Sequence, residues 1–266
     1  MKLIIKKSDL PNVPYREYKN LPDGKFDAIK EITNRGNHAE HVGWLIANCK
    51  LAQTTKMLEY FKSFNPSAED VSWLMTNCKF AQTTKMLKYF KSLNPSAYNV
   101  CPVILFCKLA QTDKMLKYFK SLNPSIEDIS LLIRKCKFAQ TAEMLEYFRS
   151  RNPSAEDVSW LIRNCKFTQT AKMLEYFKSL NPSAYGVCLV IFYCKFAQTT
   201  KMLKYYKSLS PSAEDIRWLI TSCKFAQTAE MLEYYKSLNP SVEDVSSLIN
   251  NCNLQANKNN GKKLPK

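Results

Sequence analysis

Glycine and histidine are scarce in this chain, five and two among 266 residues. So few glycines leave no phosphate-cradling loop, and neither a G-x-S-x-G elbow nor an H-E-x-x-H zinc motif occurs. The two histidines, His38 and His41, stand three apart with no third ligand near them in sequence. Neither a metal centre nor a histidine-activated nucleophile is expected from them. The cysteines include no C-x-x-C pair, the spacing that frames many zinc sites. Apolar runs such as GVCLVIFYC, ending at Cys194, fall far short of the roughly 20 residues of a membrane helix. The N-terminal MKLIIKKSDL has too short an apolar stretch for a secretory signal. These absences lead us to expect a cytoplasmic protein that is not an enzyme and uses no cofactor, metal or membrane. Export to another cell is left open.

What the chain does have is repetition. A proline returns at Pro66, Pro95, Pro124, Pro153, Pro182, Pro211 and Pro240, always 29 residues on. A cysteine keeps the same step from Cys49 to Cys252. A fixed period of this length signals a solenoid, in which each unit buries its apolar face only against its neighbours. We expect an all-α solenoid of about eight helix-turn-helix units over residues 36–252. An N-terminal segment, 1–35, should precede it: irregular over 1–20, then a lone capping helix from Pro22 to Arg35. The polar stretch 253–266 is expected to be disordered.

The ten cysteines do not suggest disulfides. In-register cysteines of stacked helices lie about 8–10 Å apart, and a disulfide needs Cα atoms within about 7 Å. They read as buried thiols acting as small hydrophobes in a reducing compartment. Two further cysteines, Cys101 and Cys188, break the register and read as exposed thiols.

In the unit from Asn65 to Leu93, Ser67 is a good N-cap after Pro66, with Glu69 and Asp70 at the positive end of the helix. Ala68, Val71, Leu74, Met75 and Cys78 follow the helical period, giving an 11-residue helix A that Asn77 can close. Helix B is expected over 81–93, with Met86, Leu87, Phe90 and Leu93 inward and Gln82, Lys85 and Lys88 outward. A longer period also shows. Units three and six share Ala-Tyr-x-Val-Cys and lose the acidic pair, as if a block of three units had been duplicated. Pro102, inside helix A of unit three, should kink it.

Pro153, Leu161, Ile162, Cys165, Lys166, Met173, Leu174, Phe177 and Leu180 stand in an order that resembles the pentatricopeptide repeat, over residues 36–252. The broader comparison is with tetratricopeptide repeats, which bind peptides. The units here are shorter than the pentatricopeptide family's. The resemblance implies paired helices and single-stranded RNA as ligand. The matching RNA-reading positions are Ser154 and Ser159, with Ser67 and Ser72. They hardly vary from unit to unit, so no base code is apparent.

The net charge of +16 suggests an acidic partner, but it is spread thinly, from −1 to +4 per 29-residue unit. A spread charge is usually a solvated face. The side of helix A opposite the apolar stripe is more telling. It reads Trp44 in unit one, Glu69 and Trp73 in unit two, Glu156 and Trp160 in unit five, and Trp218 in unit seven. Units three and six interrupt it with Tyr98 and Leu105, and with Tyr185 and Phe192. Carboxylates repel phosphates, whose contacts dominate nucleic-acid binding. Beside tryptophan they suit a basic or amphipathic polypeptide, and apolar patches mark protein contacts. We therefore expect a protein or peptide partner along helix A. RNA binding is the alternative, and self-association through the two patches the second. A competing reading has the tryptophans packed in the grooves between neighbouring A helices.

Overall fold

The computed structural model describes residues 1–10, 21, 22, 24–33 and 38–252. The chain forms two compact units, Met1–Thr141 and Ala142–Lys266. The first contains strands β1 (Ile4–Lys6) and β2 (Lys25–Asp27) and helices α1 (Ala28–Thr33), α2 (His38–Asn48), α3 (Thr55–Lys62), α4 (Ala68–Asn77), α5 (Thr84–Ser92), α6 (Ala97–Phe106), α7 (Asp113–Ser121) and α8 (Ile126–Lys135). The second contains α9 (Ala142–Ser150), α10 (Ala155–Asn164), α11 (Ala171–Ser179), α12 (Ala184–Tyr193), α13 (Thr200–Ser208), α14 (Ala213–Ser222), α15 (Ala229–Ser237) and α16 (Val242–Cys252). From α2 onward the even-numbered helices are the A helices and the odd-numbered ones the B helices. Apart from these two short strands, the described residues form an all-α helical-repeat solenoid.

One hairpin shows how the sequence makes the rest. Ser67 Oγ accepts the Asp70 amide at 3.1 Å, and Asp70 Oδ2 accepts the Ser67 amide at 2.8 Å, a reciprocal cap that starts α4. Val71, Leu74 and Met75 of α4 and Met86 and Phe90 of α5 lie back to back, each at most 1% exposed. Burying a side chain of this size contributes about 1.5–3 kcal/mol. The turn differs from expectation. Cys78, not Asn77, closes α4, in an extended conformation. One turn of 3-10 helix, Lys79–Ala81, follows. Thr83 Oγ1 then accepts the Met86 amide at 3.2 Å and starts α5, so the B helix begins at Thr84 rather than 81. The left-handed asparagine stands before the proline instead: Asn65, Asn94, Asn123, Asn152, Asn181 and Asn239 have φ of 49–54°, and Ser210 has 50°. Asparagine tolerates this region because its short amide bonds locally. The proline that follows cannot continue the B helix.

Stacking runs A helix on A helix. In the first unit α4 packs on α2 and α6, and α6 on α8; in the second α12 packs on α10 and α14, and α14 on α16. Ser72 Oγ donates to the Asn99 carbonyl at 2.8 Å, and Cys101 Sγ reaches the Asp128 carbonyl at 3.6 Å. Gln82, expected on the outer face of helix B, instead donates to the Met75 and Phe106 carbonyls at 2.9 and 3.2 Å, closing α4 and tying it to α6.

Two more expectations change. Residues 1–20 are not irregular throughout: β1 pairs antiparallel with β2, placing Ile5 opposite Phe26, both buried. The alternation of Ile5 with exposed Ile4 and Lys6 suits a strand with one buried face. The helix expected from Pro22 thereby begins only at Ala28, after β2, and among the described residues it packs on α2. Pro102 lies inside α6, which runs ten residues like α4. Its first turn keeps a reciprocal cap between Ser96 and Asn99, and it is packed on both α4 and α8, which hold the helix where one backbone bond is missing. Residues 11–20, 23, 34–37 and 253–266, including Pro11, Pro14 and the tail, lie outside the described residues.

Candidate docking face on the A helices

The A helices bury one side and leave the other exposed, and three of the four tryptophans lie on the exposed side. Trp73 is 41% exposed, and Trp160 and Trp218 are close to it. Glu69 and Glu156, at the starts of their helices, are exposed as well. Trp44 is the exception at 8%. It lies in the wall of a cleft between α2 and α4, on a helix that also packs against α1 and α3. Trp44 is thus buried beside the groove between neighbouring A helices, as the competing reading has it.

Hairpins three and six carry the apolar part of the face. Tyr98 is 70% exposed and Tyr185 60%. Leu105 and Phe192, expected as anchors, are only half-buried. The Phe192 ring meets Tyr193 edge-on at 4.6 Å and Trp218 at 5.0 Å. Arg163 lies over the Tyr193 ring at 5.8 Å. An aromatic cluster thus joins α12 and α14, with Arg163 of α10 over one of its rings. The larger exposed groups were missed in the sequence: Phe106 and Tyr193, at 63% and 57%, with Leu109 and Phe196 beside them. A signal was present. The Phe106 position is Asn48, Asn77 and Asn164 in other hairpins, where the amide caps the tryptophan carbonyl four residues back at 2.7–2.8 Å. An aromatic residue cannot make that bond, so its placement at a polar position is informative.

The positions that the repeat resemblance assigns to RNA reading are occupied differently. Ser72 and Ser159 are buried between A helices, at 4% and 2% exposed. Ser67 and Ser154 serve as helix caps. Cys101 and Cys188, expected as exposed thiols, are also buried. Burial pushes both thiols up to about 12, with Asp128 and Asp215 adding to it.

Several cations of the B helices are engaged in a ladder. Lys62 lies over Tyr89 and Lys91 over Tyr118, at 5.3 and 4.7 Å. In the second unit Arg149 covers Tyr176 at 4.6 Å, and Lys178 covers Tyr205 at 5.2 Å. Tyr176 and Tyr205 Oη donate to the carbonyls of those same residues at 3.4 Å. Lys172 pairs with Glu146 at 2.7 Å and Lys201 with Glu175 at 3.5 Å, while Lys207 pairs with Glu230. Hydrogen bonds from Lys172 to Glu146, from Lys178 to Glu175 and from Lys207 to Glu230 hold these carboxyls below the ordinary range, with Lys201 adding to the effect at Glu175.

The cleft between α2 and α4 encloses about 560 Å3, with Glu40, Glu69, Asp70, Trp44, Trp73 and Gly43 among its lining residues. A smaller groove of about 190 Å3 lies between α14 and α16, against Glu214, Arg217, Trp218 and Asp244. Among the described residues no group of three or more His, Cys, Asp or Glu could hold a metal ion, and no helix is long and apolar enough to cross a membrane.

Comparison with models of known protein families, with curated proteins and with solved structures gives no match for this chain.

Proposed function

We propose that this protein is a non-catalytic helical-repeat scaffold that binds a protein or peptide partner along the exposed side of its A helices. The observation that carries the reading is the outward projection of Tyr98 and Phe106 on α6, and of Tyr185 and Tyr193 on α12. Large aromatic groups cost surface free energy when left in water and are typical of the centres of protein contacts. The acidic and tryptophan-bearing faces of α4, α10 and α14 favour a partner that carries basic side chains.

The test is a quantitative pull-down with the full chain and a Tyr98→Glu/Tyr185→Glu variant. Both tyrosines point to solvent, so the variant retains the helical circular dichroism of the parent. The specific partner set should fall by about tenfold or more, as for loss of hot-spot residues. Recovery unchanged from the parent would refute the reading.

The net charge of +16 supports RNA binding as a second reading. It predicts capture of single-stranded polynucleotides at low salt, with affinity falling steeply as salt rises. The buried Ser72 and Ser159 and the ladder-bound cations of the B helices weigh against it. Absence of a mobility shift at low salt removes it. Self-association through the aromatic patches would appear as concentration-dependent mass in sedimentation.

A further inference from the structure

The groove between α14 and α16 is lined by a half-exposed ion pair from within the chain. Arg217 Nη1 donates to Asp244 Oδ1 at 3.2 Å, while Asp244 Oδ2 accepts from its capping serine, Ser241, at 2.8 Å. Six repeat steps earlier, Arg217 corresponds to Gly43 and Asp244 to Asp70. These two residues line the cleft between α2 and α4. Asp70 spends the same oxygen, Oδ2, on its own capping serine, Ser67, at 2.7 Å. Gly43 offers no side chain to fill the space, and the cleft is correspondingly larger, about 560 against 190 Å3. Its walls add Glu40, Glu69, Trp44 and Trp73, and His41 is the one basic side chain among the described residues that line it.

We infer that the cleft between α2 and α4 receives a guanidinium group, an arginine side chain of a protein partner, placed beside Asp70 as the Arg217 guanidinium is placed beside Asp244. The inference rests on the partner-binding reading above and gives that partner a first identified residue. Arginine suits the site better than lysine because its planar, weakly hydrated head stacks on an indole while its edge donates to a carboxylate. The negative charge of Glu69 and Asp70 at the mouth of the cleft attracts it there.

The test is titration of the full chain at low salt with acetyl-Gly-Arg-Gly-amide, followed by amide and indole NMR shifts. Saturable shifts should be confined to residues 39–44 and 67–73, with a dissociation constant on the order of 1 mM, as a single side chain allows. The citrulline peptide, similar in shape but uncharged, should leave them unmoved. Gly43→Arg should supply the cation within the chain and abolish the response. A Cβ there would stand 3.2 Å from the Phe61 ring, so a second variant, Asp70→Asn, guards against misfolding. Asparagine makes the same cap at Asn99 in α6, and Asp70→Asn should weaken peptide binding by about tenfold. An equal response to the citrulline peptide, or full binding by Asp70→Asn, overturns the inference. Tyr98→Glu/Tyr185→Glu should leave the arginine response intact, so failure of the aromatic face and failure of the cleft are read separately.

Discussion

Helices α6 and α12 are two versions of one hairpin element, 87 residues apart, and each is compromised as a helix in a different way. The first has proline inside it, at Pro102, but keeps the reciprocal cap through Asn99. The second has Leu189 where the proline stood, but Gly186 at the capping position, where no side chain can return the bond. Ser183 Oγ still accepts the Gly186 amide at 3.1 Å, so half the cap survives. Yet both helices run ten residues, and both turn an aromatic pair outward. The comparison teaches that propensity is secondary here. An A helix packed on two neighbours survives local defects because most helical stability in proteins comes from tertiary packing.

The sharpest way to break the comparison is to exchange the central residue. Pro102→Leu should stabilise the chain, and Leu189→Pro should destabilise it, each by up to about 3 kcal/mol. Denaturant unfolding measures both. A silent Leu189→Pro would mean that the neighbours absorb the whole defect.

A smaller effect belongs to the caps. Gly186→Asn should stabilise by about 1 kcal/mol, from a restored cap and a less flexible unfolded chain, while Asn99→Gly should lose a similar amount. The new Cβ would lie 3.3 Å from Ser183 Oγ, a contact the corresponding Asn99 accommodates. Thermal unfolding of both variants decides it, and equal midpoints for parent and Gly186→Asn would contradict the cap's role.

The smallest effect near neutrality, growing in alkali, comes from the paired thiols. Cys101 and Cys188 are both pushed from the ordinary 9.0 to about 12 by burial. The sign follows directly: the neutral thiol is favoured in the fold, so stability is complete below about pH 9 and drains as pH rises from there toward 12. Labelling by a thiol reagent at pH 8 should be slow at both sites until the protein unfolds. The copies should differ slightly, since Tyr206 adds its phenol beside Cys188, where the first copy has Phe119. Rapid labelling of either cysteine in the folded chain would contradict this account.

Much of the hairpin was legible from residues alone. Ser67, Asp70 and Pro66 mark a helix start through bonds made within four residues, and Val71, Leu74 and Met75 mark its buried side by spacing. The errors fell where a side chain's partner belongs to another element. Gln82 reads as an outward polar residue until the α6 carbonyl it reaches is known. Ser72, Cys101 and Cys188 sit on the helix-A flank that only the next A helix covers. Asn77 and Asn94 are both able to turn left-handed, and the choice between them depends on how α4 hands over to α5. At the candidate face, Trp73, Trp160 and Trp218 follow from periodicity, whereas the outward Phe106 and Tyr193 and the buried Trp44 do not.

The sequence by itself determined the period, the pairing of helices and the serine caps, because these depend on spacing and on bonds made a few residues away. Only the tertiary structure decided which flank of each A helix is covered, which cations are tied into the tyrosine ladder, and that the cleft beside Gly43 is larger than the groove beside Arg217. Exposure is a property of what stacks beside a residue, and that neighbour arrives from 29 residues away.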